Sequence, residues 1–239
     1  MTSKKNMFWK NVSGGMVPLN SSSSKSKKNK ANKDDNESDQ GVAVNCIKFN
    51  QTPQKDNFFV SVDDGATLRL WDSNKGTLVA EEPRFSNGSM QTCAIEPLEG
   101  KLVACGGLDG KVHIYSINQQ QKKEDKTIKM IQKQHELNGH QSLITCSGFL
   151  SQNYMVTGSD DSDLMLWDFE HTGRYLVKYS DHTFEVSSLD VFNRDGNIFA
   201  SGSSDAQVRI WDIRMKQSCL RIFDKNSAGI GAVKFMPNK

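Results

Sequence analysis

The chain has 239 residues, of which 24% are charged and 36% hydrophobic, and a formal net charge of +2. That charge is too small to attract nucleic acid by itself, and no apolar run is long enough to span a membrane as a helix. Five cysteines, an odd number without framework spacing, favour free reduced thiols over a disulfide scaffold.

Residues 1–41 read as a disordered low-complexity tail. The run SSSSKSKKNKANKDDNESDQ (21–40) holds no aromatic or branched aliphatic residue and cannot bury enough surface to order itself. Its lysines (Lys25, Lys27, Lys28, Lys30) read as a solvated tail rather than a nuclear signal. The first ten residues, MTSKKNMFWK, are polar and do not form a secretory leader.

From Val42 onward the chain repeats. Trp-Asp closes LRLWD (68–72), LMLWD (164–168) and VRIWD (208–212), and a weaker copy ends at Tyr115 in CGGLDGKVHIYS. The aromatic positions 71, 115, 167 and 211 step by 44, 52 and 44 residues. An Asp (Asp109, Asp161, Asp205) stands six residues before the aromatic in three copies, in a tight turn that Asp favours. In the first copy Asp64 stands seven residues before Trp71, which predicts a longer turn or a bulge. The insertion NQQQKKEDKTIKMIQKQ (118–134) separates the second and third copies, and the alternation in 126–137 predicts the outer edge strand of the third blade. AGIGAVKFMPNK (228–239) reads as the first strand of a further blade.

A period near forty with this signature marks a WD-repeat β-propeller. The expected fold is all-β, with residues 42–239 forming four blades plus part of a fifth. Such an arc is incomplete relative to a seven-bladed ring, so the chain reads as a fragment of a longer propeller, with self-association or a true short product as alternatives. A buried Trp needs a partner for its indole N–H. Resemblance to the WD-repeat family implies a hydrogen-bonded chain of His140, Ser159, Asp161 and Trp167, and a second of His182, Ser203, Asp205 and Trp211. These are the residue types of a catalytic triad, but a catalytic site has no reason to be copied at a 44-residue step, whereas repeats reuse one packing device. The second copy lacks both the Trp and a Gly-His, so its chain is expected to be incomplete. No Cys-x-x-Cys or His-x-x-x-His pair is present to recruit zinc. No catalytic, cofactor-binding or metal residue is therefore assigned, and no enzyme is expected.

LVACGGLDGKVHIYSI (102–117) resembles the second blade of the heterotrimeric G-protein β subunit, where an Ile-Tyr ending likewise replaces Trp-Asp. MQTCAIEP (90–97), HELNGHQSLITCSGFL (135–150) and SGSSDAQVRIWDIR (201–214) extend the resemblance in register over about 42–239. The resemblance implies a non-catalytic protein-interaction scaffold in signal transduction, with G-protein α and γ subunits as partners. It also implies a cytoplasmic location, with membrane contact at the inner face only through partners. Neither nucleic acid nor a small-molecule substrate is expected. Carried over position by position, the α-facing surface is weakened. Ser89 and Gln91 stand for a Trp and a Met, Asn45 and Leu143 for tyrosines, Ala43 and Thr67 for lysines, Gly229 for an aspartate and Ser187 for a Met. Leu108 is retained and Glu185 keeps the acidic charge, so Leu108, Leu143 and Glu185 are the candidate partner contacts. The family's N-terminal coiled-coil helix has no counterpart, since residues 1–40 show no heptad. The alternative reading is a general WD-repeat adaptor of a ligase, trafficking or chromatin complex.

Overall fold

Each repeat alternates short runs of β-branched and apolar residues with Gly, Asp and Ser turns, and these runs become strands. The computed structural model describes residues 42–52, 57–118, 130–192, 194–215 and 219–236; the tail 1–41 lies outside them. The strands are β1 (Val44–Phe49), β2 (Phe58–Asp63), β3 (Leu68–Asp72), β4 (Thr77–Glu82), β5 (Met90–Ile95), β6 (Leu102–Gly107), β7 (Lys111–Ile117) and β8 (Ile131–Asn138). They continue with β9 (Ile144–Phe149), β10 (Tyr154–Ser159), β11 (Leu164–Asp168), β12 (Arg174–Tyr179), β13 (Val186–Val191), β14 (Ile198–Ser203), β15 (Val208–Asp212) and β16 (Cys219–Phe223). Four antiparallel sheets of four consecutive strands result, each a propeller blade, and no helix occurs among the described residues. Within those residues, no helix is long and apolar enough to cross a membrane.

The blades do not coincide with the sequence repeats. β8, expected as the outer strand of the third blade, pairs with β7 and closes the second. The chain crosses to the next blade only after completing an outer strand, so a repeat that ends at Trp-Asp begins on the preceding blade. The insertion accordingly lies inside the second blade, between β7 and β8, with residues 119–129 outside the described region. The first hairpin also differs from expectation. Its register, Val62 opposite Leu68, matches Gly106–Val112, Gly158–Leu164 and Gly202–Val208, so the turn is no longer than the others. All four turns place one residue at positive φ in the same position: Ala66, Gly110, Ser162 and Ala206. The first blade has moved its acid by one residue and kept the turn.

Three hydrophobic cores lie between the four blades, one for each neighbouring pair. The aromatic that ends each third strand faces the preceding blade. Tyr115 lies in the first core, Trp167 in the second and Trp211 in the third, each essentially unexposed. Trp71 belongs to the first blade, has no preceding blade beside it among the described residues, and is only partly buried, stacked on Phe59.

Close approach of the blades explains the Gly in TGS and SGS. A Cβ on Gly158 would lie 2.7 Å from Val186 on the next blade, and one on Gly202 would lie 2.5 Å from Ile230. Ile230 belongs to a segment assigned to no strand, yet it docks like an inner strand. Its N–H donates to the Ser203 carbonyl, Val233 N–H to Ser188 Oγ and Phe235 N–H to Asp190. Residues 228–236 thus lie along the inner strand of the fourth blade, and 237–239 fall outside the described region.

Candidate protein-interaction rim and its supporting hydrogen-bond chains

The third and fourth blades each bury one continuous polar chain. Trp167 Nε1–H donates to Thr157 Oγ1 at 2.8 Å, and His140 Nε2 lies 2.8 Å from the same oxygen. His140 Nδ1 lies 3.0 Å from Asp161. In the fourth blade Trp211 Nε1–H donates to Ser201 Oγ at 2.8 Å, His182 Nε2 is 2.8 Å from Ser201 Oγ, and His182 Nδ1 is 2.8 Å from Asp205. One proton arrangement satisfies every group: indole N–H to hydroxyl, hydroxyl O–H to Nε2, and Nδ1–H to carboxylate. It requires a neutral imidazole. Burial pushes the His182 pKa below its ordinary value, against the opposing pull of Asp205.

The hydroxyl in these chains is Thr157 or Ser201, not Ser159 or Ser203 as the family resemblance implied. Trp167 sits opposite Met155. Thr157 is one pleat period further along, and Ser159 another, about 7 Å beyond it and out of the indole's reach. Ser159 and Ser203 instead accept the N–H of Asp161 and Asp205, each at 3.1 Å, and so hold the turn acids in place. Asp161 also accepts from the Gln141 and Asp163 amides. Burial raises its pKa, but the bonds from His140 and Gln141 outweigh that and leave it at about 2. A constant ten-residue offset, Ser61–Trp71, Thr157–Trp167 and Ser201–Trp211, was the signal that identifies the correct hydroxyl.

The first two blades lack the Gly-His histidine and replace it from their own third strand. In the first, Trp71 donates to Ser61 at 2.9 Å, and Arg69 pairs with buried Asp63. In the second, His113 Nε2 lies 2.7 Å from Asp109, which also accepts from Ser86 at 2.6 Å. Arg69 and His113 occupy equivalent positions, opposite Ser61 and Cys105. As expected, the second chain is incomplete: with Cys105 at the hydroxyl position, the buried Tyr115 hydroxyl has no partner.

These chains support one rim, where the inner strands begin and the β2–β3, β6–β7, β10–β11 and β14–β15 turns end. The same backbone bond recurs there in every blade. Asp64, Leu108, Asp160 and Ser204 donate to the carbonyls of Ala43, Ser89, Leu143 and Glu185, at 2.9–3.0 Å. The candidate contacts Leu108, Leu143 and Glu185 therefore fall on one edge, Leu108 on the donor side of this bond and Leu143 and Glu185 on its acceptor side. Leu108 and Phe184 are each 62% exposed, Leu143 is half-buried, and Glu185 accepts from Ser204 Oγ at 2.7 Å. Asp64 accepts from Ser89 and Asn45, and those two bonds lower its pKa.

The inner strands hold a second device that the sequence did not reveal. Each is bulged, and the skipped residues are Asn45, Gln91, Thr145 and Ser187. Asn45 donates to the Met90 carbonyl of the next blade at 2.9 Å. Thr145 bonds the carbonyls of Gly158 and Val186, and Ser187 those of Gly202 and Ile230. Gln91 bonds Ser89 instead. Three bulges thus become clamps between blades, built from short polar side chains. Among the described residues no group of three or more His, Cys, Asp or Glu is arranged to hold a metal ion.

Comparison with known proteins fits this geometry. The model of the WD domain, G-beta repeat, matches residues 131–168 and 173–212, each running from an outer strand through the next blade's Trp-Asp. Proteins named guanine nucleotide-binding protein subunit beta align across most of the chain. The rice (Oryza sativa subsp. japonica) protein is 30% identical over 209 residues, 83% of this chain and 52% of its own length. Those of Arabidopsis thaliana and Zea mays are 29% and 28% identical, with the same coverage. The chain carries WD repeats and is similar to the G-protein β subunits. It spans about half the length of the curated relatives it matches.

Proposed function

We propose that the chain is a non-catalytic protein-interaction scaffold of the G-protein β-subunit kind, acting in signal transduction through the rim just described. The observation that carries this reading is the recurring rim bond, which sets Leu108 on the same edge as Asp64, Asp160 and Glu185, with exposed Phe184 adjoining Glu185 in the chain. Apolar anchors flanked by fixed charge suit a protein surface bearing its own apolar and basic side chains. The buried chains support the non-catalytic half of the reading. Ser201, His182 and Asp205 have the connectivity of a hydrolytic triad, yet Ser201 is 0% exposed and its oxygen already accepts the Trp211 N–H. A nucleophile in that position has no route to a substrate.

Partners of the α- and γ-subunit classes, a cytoplasmic location and membrane contact only through those partners are what the resemblance to the β subunits implies. Binding to an α subunit is expected to be weak. Asn45, Ser89 and Gln91 are small polar groups bonded to one another or to Asp64, and none offers an aromatic anchor. Losing two hot-spot anchors at about 2 kcal/mol each weakens an interface roughly a thousandfold. Calorimetric titration of the chain with a GDP-bound α subunit tests this. Residual binding should disappear in Leu108→Asp. Nanomolar binding would refute the weakened-rim reading, and binding unaffected by Leu108→Asp would move the contact elsewhere.

A further inference from the structure

Cys46 and Cys93 lie on the inner strands of neighbouring blades, β1 and β5. The Cys46 thiol donates to the Cys93 carbonyl at 3.8 Å, and Cys46 packs against the core that contains Cys93. Their settings differ. Cys46 is half-buried, whereas Cys93 is fully buried, as is Cys105 opposite it across the second blade. Of these three residues, only Cys46 is partly exposed. It follows the bulged residue Asn45, whose side chain clamps the first blade to the second.

We propose that Cys46 and Cys93 are a peroxide-oxidisable pair that forms a disulfide between the first and second blades. Cys46 thiolate attacks a hydroperoxide and becomes the sulfenic acid, with hydroxide (or the alkoxide) as leaving group. The Cys93 sulfur then attacks the Cys46 sulfur. The S–S bond forms, the S–O bond breaks, and the Cys93 proton leaves with the departing oxygen as water. Two thiols are oxidised and one peroxide is reduced. The asymmetry of the pair suits this order. The hydrogen bond with the Cys93 thiol lowers the Cys46 pKa against burial, helped by Lys48, while the same contact and burial raise that of Cys93. Cys46 is therefore the attacking and sulfenylated sulfur, and Cys93 the resolving one. The bond would lie directly beneath the Asn45–Ser89–Asp64 cluster of the rim and make the junction of the two blades covalent.

The test uses the full chain, treated with stoichiometric hydrogen peroxide and digested with trypsin without reductant. Cys46, Cys93 and Cys105 fall on separate peptides, 34–48, 85–101 and 102–111, and Cys219 on 217–221. The expected product joins 34–48 to 85–101, is lighter by two hydrogens and is released by reductant. Cys93→Ser should leave a sulfenic acid on Cys46 that dimedone traps. The oxidised chain should unfold at a higher temperature than the reduced one, and Cys46→Ser should abolish that rise. A cross-link from 85–101 to 102–111, a bond to 217–221, or no cross-link at all would overturn the proposal. So would a Cys93→Ser chain in which Cys46 takes up no dimedone.

Discussion

Replacing Ser201 with Ala removes one oxygen and leaves almost no cavity, yet it breaks the buried chain at its centre. The Trp211 indole N–H and the His182 Nε2 both bond that oxygen at 2.8 Å, and both Ser201 and Trp211 are 0% exposed. A buried polar group left without a partner costs about 1–3 kcal/mol. Two such groups put the expected loss at about 2–6 kcal/mol, a large share of the 5–15 kcal/mol by which domains are typically stable. Ser203→Ala removes a hydroxyl that accepts from Asp205 and donates to the Phe184 carbonyl, so it loosens a turn and leaves the indole satisfied. Its expected cost is smaller, about 1 kcal/mol. Urea unfolding followed by far-ultraviolet circular dichroism gives both values. Trp211→Phe, alone and combined with Ser201→Ala, completes a double-mutant cycle in which a coupling of about 1 kcal/mol or more is expected. If Ser201→Ala costs less than Ser203→Ala, or if the two Ser201–Trp211 changes are additive, then the polar chain does not run through Ser201.

The His182 pKa is depressed by burial, so the unfolded chain takes up this proton first. Stability should therefore fall as pH drops below about 6.5, down to the lower folded-state value, with no contribution from this group above that range. The thermal midpoint should decrease between pH 7 and pH 5, and His182→Gln should flatten that dependence; an unchanged slope refutes the neutral-imidazole assignment. The carboxyl of Asp161, held at about 2, adds a separate loss only between roughly pH 4 and pH 2. Gly158→Ala places a methyl 2.7 Å from Val186 and from Cys146, and should cost about 1–3 kcal/mol in a urea titration through overpacking. Gly76→Ala meets no atom within 4 Å and strains only a φ of +66°, so its expected cost is about 1 kcal/mol; equal losses at the two sites would count against the close-approach argument.

Sequence alone was enough for the repeat, the all-β class, the four blades and the relationship to the β subunits. The reason is that each blade reuses the same local rules: alternating apolar residues, a fixed turn, and an aromatic at the end of the third strand. The pairing of the turn acids Asp161 and Asp205 with His140 and His182 came from the resemblance to the WD-repeat family, and the structure brings each pair together. What the sequence left open was every feature that depends on distance between strands or blades. Thr157 and Ser159 are both hydroxyls on one strand two residues apart, and only the position of Trp167 opposite Met155 selects Thr157. Asp64 looked like the turn acid of the first blade, but the shared hairpin register puts Gly65 at that position, and Asp63, paired with Arg69, accepts the Thr67 amide in its place. β8 has the alternation of an outer strand, and nothing local says which blade it closes. The clamps of Asn45, Thr145 and Ser187 and the tight fits at Gly158 and Gly202 arise only when a bulged inner strand meets the next blade. Pairing and blade contact are non-local, so it is the tertiary structure that turns ordinary Ser, Thr, Asn and Gly into the residues that hold the rim in place.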